Sequence, residues 1–470
     1  MDGRPKLRAA LLLAVVLLCA APVWAAGGYA IVVSEGLLGD PEWAQVAEIA
    51  GRRHAATQIT WAGGVTEARA ELSAQHPRYT AFLARPAEVT RDFVVAVHRL
   101  TRALDEDPYT DTQWGIVTGY EPADAIRQFT APALDLRRAV ASTSIPLDAF
   151  EQATWFNDTT QGHQELRTAG QAPRTVEGPA DPTSAIADWL VDERPDLVMT
   201  SGHATERDWQ VGYGYPAGEY RSRDGILLAR PRGAAEREVR STNSKIFLPV
   251  GNCLIGHIDD QQALMLAWLH SGGANQTLGY TVLTWFGYAG WGVNDYLLGS
   301  PGGLSFADAF FANQQALLAR LQHEFPDYAG FEPSADEYEQ FGLDSMQRRL
   351  ELPRGLAGGR ELLGLLWDRD TVAFYGDPAW RAALPAPDLG YTTDLQIRDG
   401  VLLCTVAAQR DVEFGRPLFL RLPQRVRAGQ PDYGAEWAPV LTDDFLLLTG
   451  LTEMSAGETV QVRYEVELLD

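Results

Sequence analysis

Residues 245–256 read K-I-F-L-P-V-G-N-C-L-I-G, an apolar run that ends in glycine, asparagine and cysteine. A short apolar run bounded by turn residues is typical of a strand buried in a parallel sheet. A second stretch, D-L-V-M-T-S-G-H-A at residues 196–204, has the same layout and ends in histidine and alanine. Because ligands gather at the carboxyl ends of parallel strands, neighbouring strands would bring His203 and Cys253 to one edge. The two stretches therefore predict an α/β fold that pairs a thiol with a base.

Strand and helix patterns alternate from Tyr29 to about residue 384, which predicts a mostly parallel sheet with helices on both faces. The stretch from about 140 to 183 is rich in Thr, Gly, Pro and Asp and predicts a linker or a surface insertion. Period-two strands after about residue 385 predict a small immunoglobulin-like β-sandwich. We expect a signal peptide at 1–25, an N-terminal α/β subdomain at 26–140, a second α/β subdomain at 141–384 and the β-sandwich at 385–470.

The first 25 residues predict export. They have a basic start, an apolar run from Ala9 to about Val23, and a small-residue exit at Ala25. The expected location is therefore periplasmic, cell-surface or extracellular. No later segment approaches eighteen consecutive apolar residues, so we expect no transmembrane segment. The formal net charge of -23 argues against nucleic acid as a partner.

Two cysteines, Cys253 and Cys404, follow the predicted signal peptide, and they are too far apart to suggest a disulfide framework. Cys404 lies in the apolar strand V-L-L-C-T-V, where a thiol simply packs. Cys253 ends a strand, so a nearby imidazole at His203 could take its proton during nucleophilic attack. The backbone N–H groups of Ala204 and Cys253 are the candidate donors to the developing oxyanion.

The histidine and cysteine motifs resemble those of the caspase-like cysteine peptidases, and within them the gingipain family. There a strand ending in histidine and glycine precedes a strand ending in the nucleophilic cysteine, as V-M-T-S-G-H-A (198–204) precedes F-L-P-V-G-N-C-L-I-G (247–256) here. Y-G-D-P-A-W (375–380) is similar to the Gly-Asp-Pro box of gingipain-type catalytic domains. The resemblance spans about residues 28–465. It implies a caspase-like three-layer αβα sandwich followed by a C-terminal β-sandwich.

The resemblance implies a secreted cysteine endopeptidase that acts on a peptide or protein substrate and requires no cofactor. Cys253 would be the nucleophile, His203 the general acid and base, and the amides of Ala204 and Cys253 the oxyanion hole. The chain departs from the family at Ala204, where the family has glycine, and a positive φ there would be strained. An inactive pseudo-peptidase that serves as a surface or binding protein is therefore the alternative.

Substrate-binding candidates lie in two loops. T-W-F-G-Y-A-G-W-G (284–292) predicts an aromatic wall made of Trp285, Tyr288 and Trp291, and core packing is the competing interpretation. Glu206, just beyond the histidine, is a candidate to orient His203 or to attract a basic side chain. The competing interpretation is a solvated loop charge.

Two metal hypotheses arise from the sequence. Asp105, Glu106, Asp107 and Asp111 crowd together before the strand at 114–119 and permit calcium as a structural ion, although their spacing is not that of an EF-hand. The competing interpretation is a run of charges at the end of a helix. Cys253 and His257 are four residues apart and, with His203, could hold zinc on a helix face. No acidic metalloenzyme motif accompanies the second set.

Overall fold

A computed structural model describes residues 28–338, 343–351 and 358–469, so the predicted signal peptide lies outside the described residues. The strands are β1 (Tyr29–Ser34), β2 (Thr57–Trp61), β3 (Tyr79–Leu83), β4 (Gln113–Val117), β5 (Leu134–Asp135), β6 (Arg138–Ala141), β7 (Gln152–Phe156), β8 (His163–Arg167), β9 (Arg174–Glu177), β10 (Leu197–Thr200), β11 (Asp208–Gln210), β12 (Glu219–Arg223), β13 (Ile226–Arg230), β14 (Arg237–Val239), β15 (Lys245–Pro249), β16 (Ala274–Tyr280), β17 (Val372–Tyr375), β18 (Ala382–Ala383), β19 (Tyr391–Arg398), β20 (Val401–Ala408), β21 (Val412–Glu413), β22 (Leu418–Arg421), β23 (Val426–Ala428), β24 (Pro439–Leu441), β25 (Phe445–Leu448), β26 (Glu453–Met454) and β27 (Thr459–Leu468).

The helices are α1 (Glu35–Leu38), α2 (Pro41–His54), α3 (Arg69–Gln75), α4 (Arg91–Thr101), α5 (Pro122–Thr130), α6 (Thr183–Asp188), α7 (Leu264–Leu269), α8 (Tyr288–Leu297), α9 (Phe306–Glu324), α10 (Leu343–Arg349) and α11 (Gly359–Thr371). The first turn of α2 shows how the local sequence starts a helix. Asp40 caps α2 through the backbone N–H of Glu42, with Pro41 at the first helical position. None of the described helices is long and apolar enough to cross a membrane.

Twelve strands form one large sheet in the order β2-β1-β3-β4-β17-β16-β15-β10-β6-β7-β8-β9. Within the described residues, eight of its eleven pairings are parallel; the exceptions are β16–β17, β7–β8 and β8–β9. The antiparallel β16–β17 pair joins two parallel halves that run in opposite directions. The protein is therefore a mixed α/β structure with a large, mostly parallel sheet, as the alternating pattern predicts.

Helices cover both faces of the half that begins at Tyr29. Ile31 and Val33 of β1 pack with Trp43 and Val46 of α2 in one hydrophobic cluster. Ala30 and Val32 belong to the main core with residues of α4. The alternation follows from the period of two along a strand, and burial on both faces explains why Y-A-I-V-V-S is almost continuously apolar.

Residues 138–177 form four strands of the large sheet, β6 to β9, and the predicted linker or insertion is wrong there. β6 and β7 pair in parallel across a connection that holds only a short turn of 3₁₀ helix at Leu147–Ala149. The last two strands, β8 and the edge strand β9, have half-buried or exposed residues throughout. Their lack of an apolar run explains why the local pattern does not predict them.

The C-terminal residues 391–468 form antiparallel sheets, as the period-two pattern predicts. Their strand orders are β19-β20-β27-β23, β21-β26 and β22-β25-β24. β19 and β20 make a hairpin through Asp399 and Gly400, both at positive φ, which is the Asp-Gly turn that suits the strand twist. This part docks on α9 through an aromatic cluster in which Phe311 contacts Phe419 and Phe445.

Candidate active site

The ends of β10 and β15 meet at one edge of the large sheet. The two strands pair in parallel, with Thr200 opposite Pro249 in register. His203 follows β10 by three residues and Cys253 follows β15 by four, so both motifs leave the sheet at the same edge. The two strands are therefore neighbours, as the sequence predicts, and the two motifs follow them at the same edge of the sheet.

Asn252 ties the two motifs together, and the sequence patterns did not single out its side chain. Its Oδ1 accepts a hydrogen bond from the Thr200 hydroxyl at 2.8 Å. Its Nδ2 donates to the Gly202 carbonyl at 3.0 Å. Asn252 is completely buried, so these bonds satisfy an amide that has no access to water. The residue before Cys253 therefore fixes the residue before His203.

Under the peptidase hypothesis drawn from the sequence, replacing Asn252 with alanine is expected to lower kcat/KM for peptide hydrolysis by about 10²-fold, because a small misplacement of catalytic groups has that effect. The loss of two buried hydrogen bonds should also lower the free energy of unfolding by roughly 1–3 kcal/mol. Asn243→Ala is the matched control, since its Nδ2 donates to the Pro195 carbonyl at 2.9 Å at the opposite end of the same two strands. Urea unfolding and steady-state kinetics on both variants check the prediction. Equal losses of activity would contradict it.

His203 stands at the start of a hairpin. Gly202 has a φ of 113°, a region that favours glycine, and turns the chain out of β10. Trp209 is fully buried and its indole N–H donates to the Ser201 carbonyl at 2.9 Å. Hydrogen bonds from Gln210 N to His203 O and from Thr205 N to Asp208 O flank the Ala204–Trp209 bridge.

The flanking bonds show that Ala204 and Trp209 are a non-hydrogen-bonded pair, so the backbone N–H of Ala204 points away from its hairpin partner. Ala204 is in this extended bridge and is not among the residues with positive φ. The expected strain at Ala204 is therefore wrong. The left-handed backbone falls on Gly202, one residue before the histidine, so alanine after the histidine is tolerated without strain.

Cys253 is half-buried at the edge of the loop that follows β16. The backbone N–H of Thr284 donates to its Sγ at 3.3 Å. Leu254, at a φ of 57°, turns the chain and donates its N–H to the Val282 carbonyl at 3.0 Å. Cys404, in contrast, is fully buried in the β-sandwich core, and burial, followed by the charge of Asp394, raises its pKa to about 12.

The three aromatic candidates have different locations. Trp291 is 39% exposed and lies near Gly251, two residues before Cys253: a Cβ at Gly251 would be 4.0 Å from its indole nitrogen. Tyr288 begins α8, is buried, and lies under the Arg416 guanidinium at 4.2 Å, on the side of the C-terminal sheets. Trp285 is half-buried against the main core, with Arg360 5.9 Å from its ring. Trp291 alone of the three is a large exposed ring in this region.

The segment 284–292 is not one loop, since α8 begins at Tyr288 and carries Trp291. Asp368 holds the first turn of this helix. The carboxyl group is fully buried, accepts a hydrogen bond from the Ala289 N–H at 3.0 Å and receives the Tyr280 hydroxyl at 3.0 Å. Burial raises the pKa of Asp368 to about 7. The helix was not predicted because its mixture of glycine and aromatic residues does not give the apolar period of a helix.

Glu206 lies at the tip of the hairpin that His203 begins. Its backbone carbonyl accepts the N–H of Leu264, which docks the tip on α7. No described hydrogen bond or ion pair joins its side chain to His203. Tyr213, which the sequence did not single out, contacts His203 instead: the two ring centroids are 4.9 Å apart. The signal that could have found it is the Gly-Tyr-Gly-Tyr run at 212–215.

The Gly-Asp-Pro box lies at the opposite edge of the sheet. Because β17 runs antiparallel to β16, Gly376 follows Tyr375 beside Asn275, at the start of β16. Asp377 accepts the Tyr29 hydroxyl at 2.8 Å and contacts His54 Nε2 at 2.9 Å. The box therefore anchors β1 and α2, and its role is structural.

Asp105, Asp107 and Asp111 form a candidate cation site. Their carboxylate oxygens all lie within 4.8 Å of one another, which suits a hard cation such as calcium. Among the described residues this is the one group of three or more potential ligands so arranged, and Cys253, His203 and His257 do not form another. The zinc hypothesis is therefore wrong in its geometry.

Calcium is expected to change how stability depends on pH. Burial, followed by the charge of Asp105, raises the pKa of Asp111 to about 9, and burial raises that of Asp107 to about 7. The folded chain then holds protons that the unfolded chain releases above about pH 4, so stability falls as pH rises toward 9. Urea unfolding from pH 5 to 9 should show this fall in EDTA and a smaller one in calcium. An identical pH dependence in both would contradict the site, and Asp111→Asn should flatten the curve in EDTA.

No protein-family model matches the chain, and no curated protein matches it. A solved structure named "Structure of Protease" aligns over 94% of this chain and 97% of that chain, with 7% sequence identity and a TM-score of 0.37.

Proposed function

We propose that this protein is an exported cysteine endopeptidase of the gingipain-like, caspase-like kind, in which Cys253 and His203 form the catalytic dyad. The observation that carries the proposal is the buried Asn252 side chain, which joins the ends of β10 and β15 and holds the two motifs at one sheet edge. A thiol and an imidazole that follow neighbouring parallel strands are the two groups that a cysteine nucleophile and its base would need.

The reaction would run in two steps. The thiol of Cys253 gives its proton to His203 and its sulfur attacks the peptide carbonyl carbon, while the N–H groups of Ala204 and Cys253 stabilise the oxyanion. His203 then protonates the leaving amine as the C–N bond breaks, which leaves an acyl thioester on Cys253. Water, deprotonated by His203, hydrolyses the thioester and restores the thiol.

The alternative, an inactive pseudo-peptidase, is no longer supported by the observation that suggested it. It was based on strain expected at Ala204, but that residue has an extended backbone and directs its N–H away from the hairpin. We also propose that residues 1–25 are a signal peptide. The substrate would then be a peptide or protein outside the cytoplasm, and its acyl side would contact Trp291.

Hydrolysis of a mixed library of internally quenched peptides tests the proposal. The protein without residues 1–25 is incubated under reducing conditions with calcium, beside its Cys253→Ala variant and a Cys404→Ala control. Cleavage by the wild type and the control, and none by Cys253→Ala, is the expected result. Cleavage that survives in Cys253→Ala, or natively folded wild type that cleaves nothing, would overturn it.

A further inference from the structure

An exposed aromatic ring lies against the candidate general acid. Tyr213 is 57% exposed, and its ring centroid is 4.9 Å from that of His203 with the planes tilted by 35°. Large apolar groups that stay exposed beside a reactive centre are frequent binding sites. The contact therefore raises the question of which part of a substrate the ring would meet.

The Tyr213 ring is presented by a fixed segment. The backbone N–H groups of Tyr213 and Gly214 both donate to the Asp158 carbonyl, and the Tyr215 hydroxyl donates to the Asn157 carbonyl at 2.9 Å. Gly214 packs so closely on Thr159 that a Cβ would come within 2.7 Å of its backbone. These bonds attach the segment to the chain that follows β7.

The order of strands determines the side on which Tyr213 lies. Along this edge of the sheet β16, β15, β10, β6 and β7 follow one another and are all parallel. Cys253 follows β15, His203 follows β10, and Asp158, which holds Tyr213, follows β7. Tyr213 is therefore beyond His203 as seen from Cys253, whereas Trp291 is beside Gly251 at the end of β15.

The chemistry of the proposed dyad indicates which part of the substrate lies on the Cys253 side and which part lies on the His203 side. Cys253 bonds to the acyl carbon, and His203 delivers a proton to the leaving nitrogen. A group beyond His203 therefore meets the peptide on the leaving-group side of the scissile bond. Resting on the function proposed above, we propose that Tyr213 binds the first residue on that side and favours a large apolar or aromatic side chain there.

Acyl transfer offers the sharpest test. An acyl-enzyme formed from one substrate partitions between water and an added amine, and the amine enters through the leaving-group side. Phenylalaninamide and glycinamide are compared as acceptors at equal concentrations, and the ratio of the two transfer products is measured. This internal ratio does not depend on the fraction of active protein, so partial unfolding of a variant leaves it unchanged.

The wild type is expected to favour phenylalaninamide by about two- to tenfold after correction for the intrinsic reactivity of the amines, the range typical of an aromatic contact. Tyr213→Ala should abolish this preference, and Tyr213→Phe should retain it. Tyr433→Ala is the control, because Tyr433 is another exposed aromatic, 43% exposed, in the C-terminal sheets. Its ratio should equal that of the wild type.

The outcomes separate the two proposals. If the wild type forms both products without preference, or if Tyr213→Ala keeps the preference, the role of Tyr213 is wrong while the peptidase proposal stands. If no peptide or ester forms an acyl-enzyme, the peptidase proposal fails and the inference fails with it.

Discussion

His203→Ala is expected to lower kcat/KM for peptide hydrolysis at neutral pH by about 10²–10⁴-fold, the contribution usual for a positioned general acid and base. The imidazole has two tasks in this account: it removes the thiol proton and it protonates the leaving amine. Only the first can be replaced from solution, because alkaline pH generates thiolate without a base. Activity of the variant should therefore rise steeply toward pH 9–10 but stay below that of the wild type.

Two controls make the effect of His203→Ala specific. His323→Ala removes an exposed histidine at the end of α9, so its kinetics should match the wild type. The Cys253→Ala/His203→Ala double variant should be no slower than Cys253→Ala alone, because residues that act as a unit have non-additive effects. A pH profile of His203→Ala parallel to that of the wild type would contradict its role as the base.

Asp370→Ala is expected to give the largest loss of stability, about 3–5 kcal/mol in the free energy of unfolding. Asp370 is fully buried at the end of α11 and bonds Arg102 at 2.7 Å, Arg369 at 2.9 Å and the Tyr338 hydroxyl at 3.1 Å. Burial acts to raise the pKa of Asp370, but the charges of Arg102 and Arg369 outweigh it and hold the pKa well below its ordinary value.

The loss comes from the cations that Asp370→Ala leaves behind. The Arg369 side chain is 3% exposed and that of Arg102 is 10% exposed, so neither guanidinium can regain water without local unfolding. Asp388→Ala is the matched control: its carboxylate pairs with Arg410 at 2.7 Å, but the side chain is 79% exposed. Such an exposed pair is screened by water, so its loss should change the free energy of unfolding little. Equal urea midpoints for the two variants would contradict the prediction, because the buried network would then stabilise the fold no more than the exposed pair does.

The architecture was predictable where local pattern and burial agree. β10 and β15 are fully buried, so their apolar runs mark them, and glycine at each exit marks their ends. The placement of His203 and Cys253 at one edge followed from a general property of parallel sheets. The C-terminal sheets were predictable for a similar reason, because their alternating burial gives β20 an alternating sequence.

The remaining site features depend on contacts between residues far apart in the chain. The Asn252 side chain donates a hydrogen bond to the carbonyl of Gly202, which is 50 residues away. The sequence pattern of neither segment predicts this bond. The Asp158 carbonyl holds Tyr213 through a segment that reads as a linker. Because β17 pairs antiparallel to β16, the Gly-Asp-Pro box lies at the edge of the sheet opposite to His203 and Cys253. An apolar run does not reveal the direction of its strand, so this location could not be predicted.

The acyl-enzyme itself is the most direct test of the central claim. The protein is mixed with an activated peptide ester, chosen so that acylation outpaces hydrolysis, and the reaction is quenched in acid, where a thioester persists. Peptide mapping by mass spectrometry then locates the added acyl fragment. The account predicts the fragment on Cys253 in the wild type, none on Cys404, and none anywhere in Cys253→Ala. Turnover of the ester with Cys253 unmodified at every quench time would contradict it.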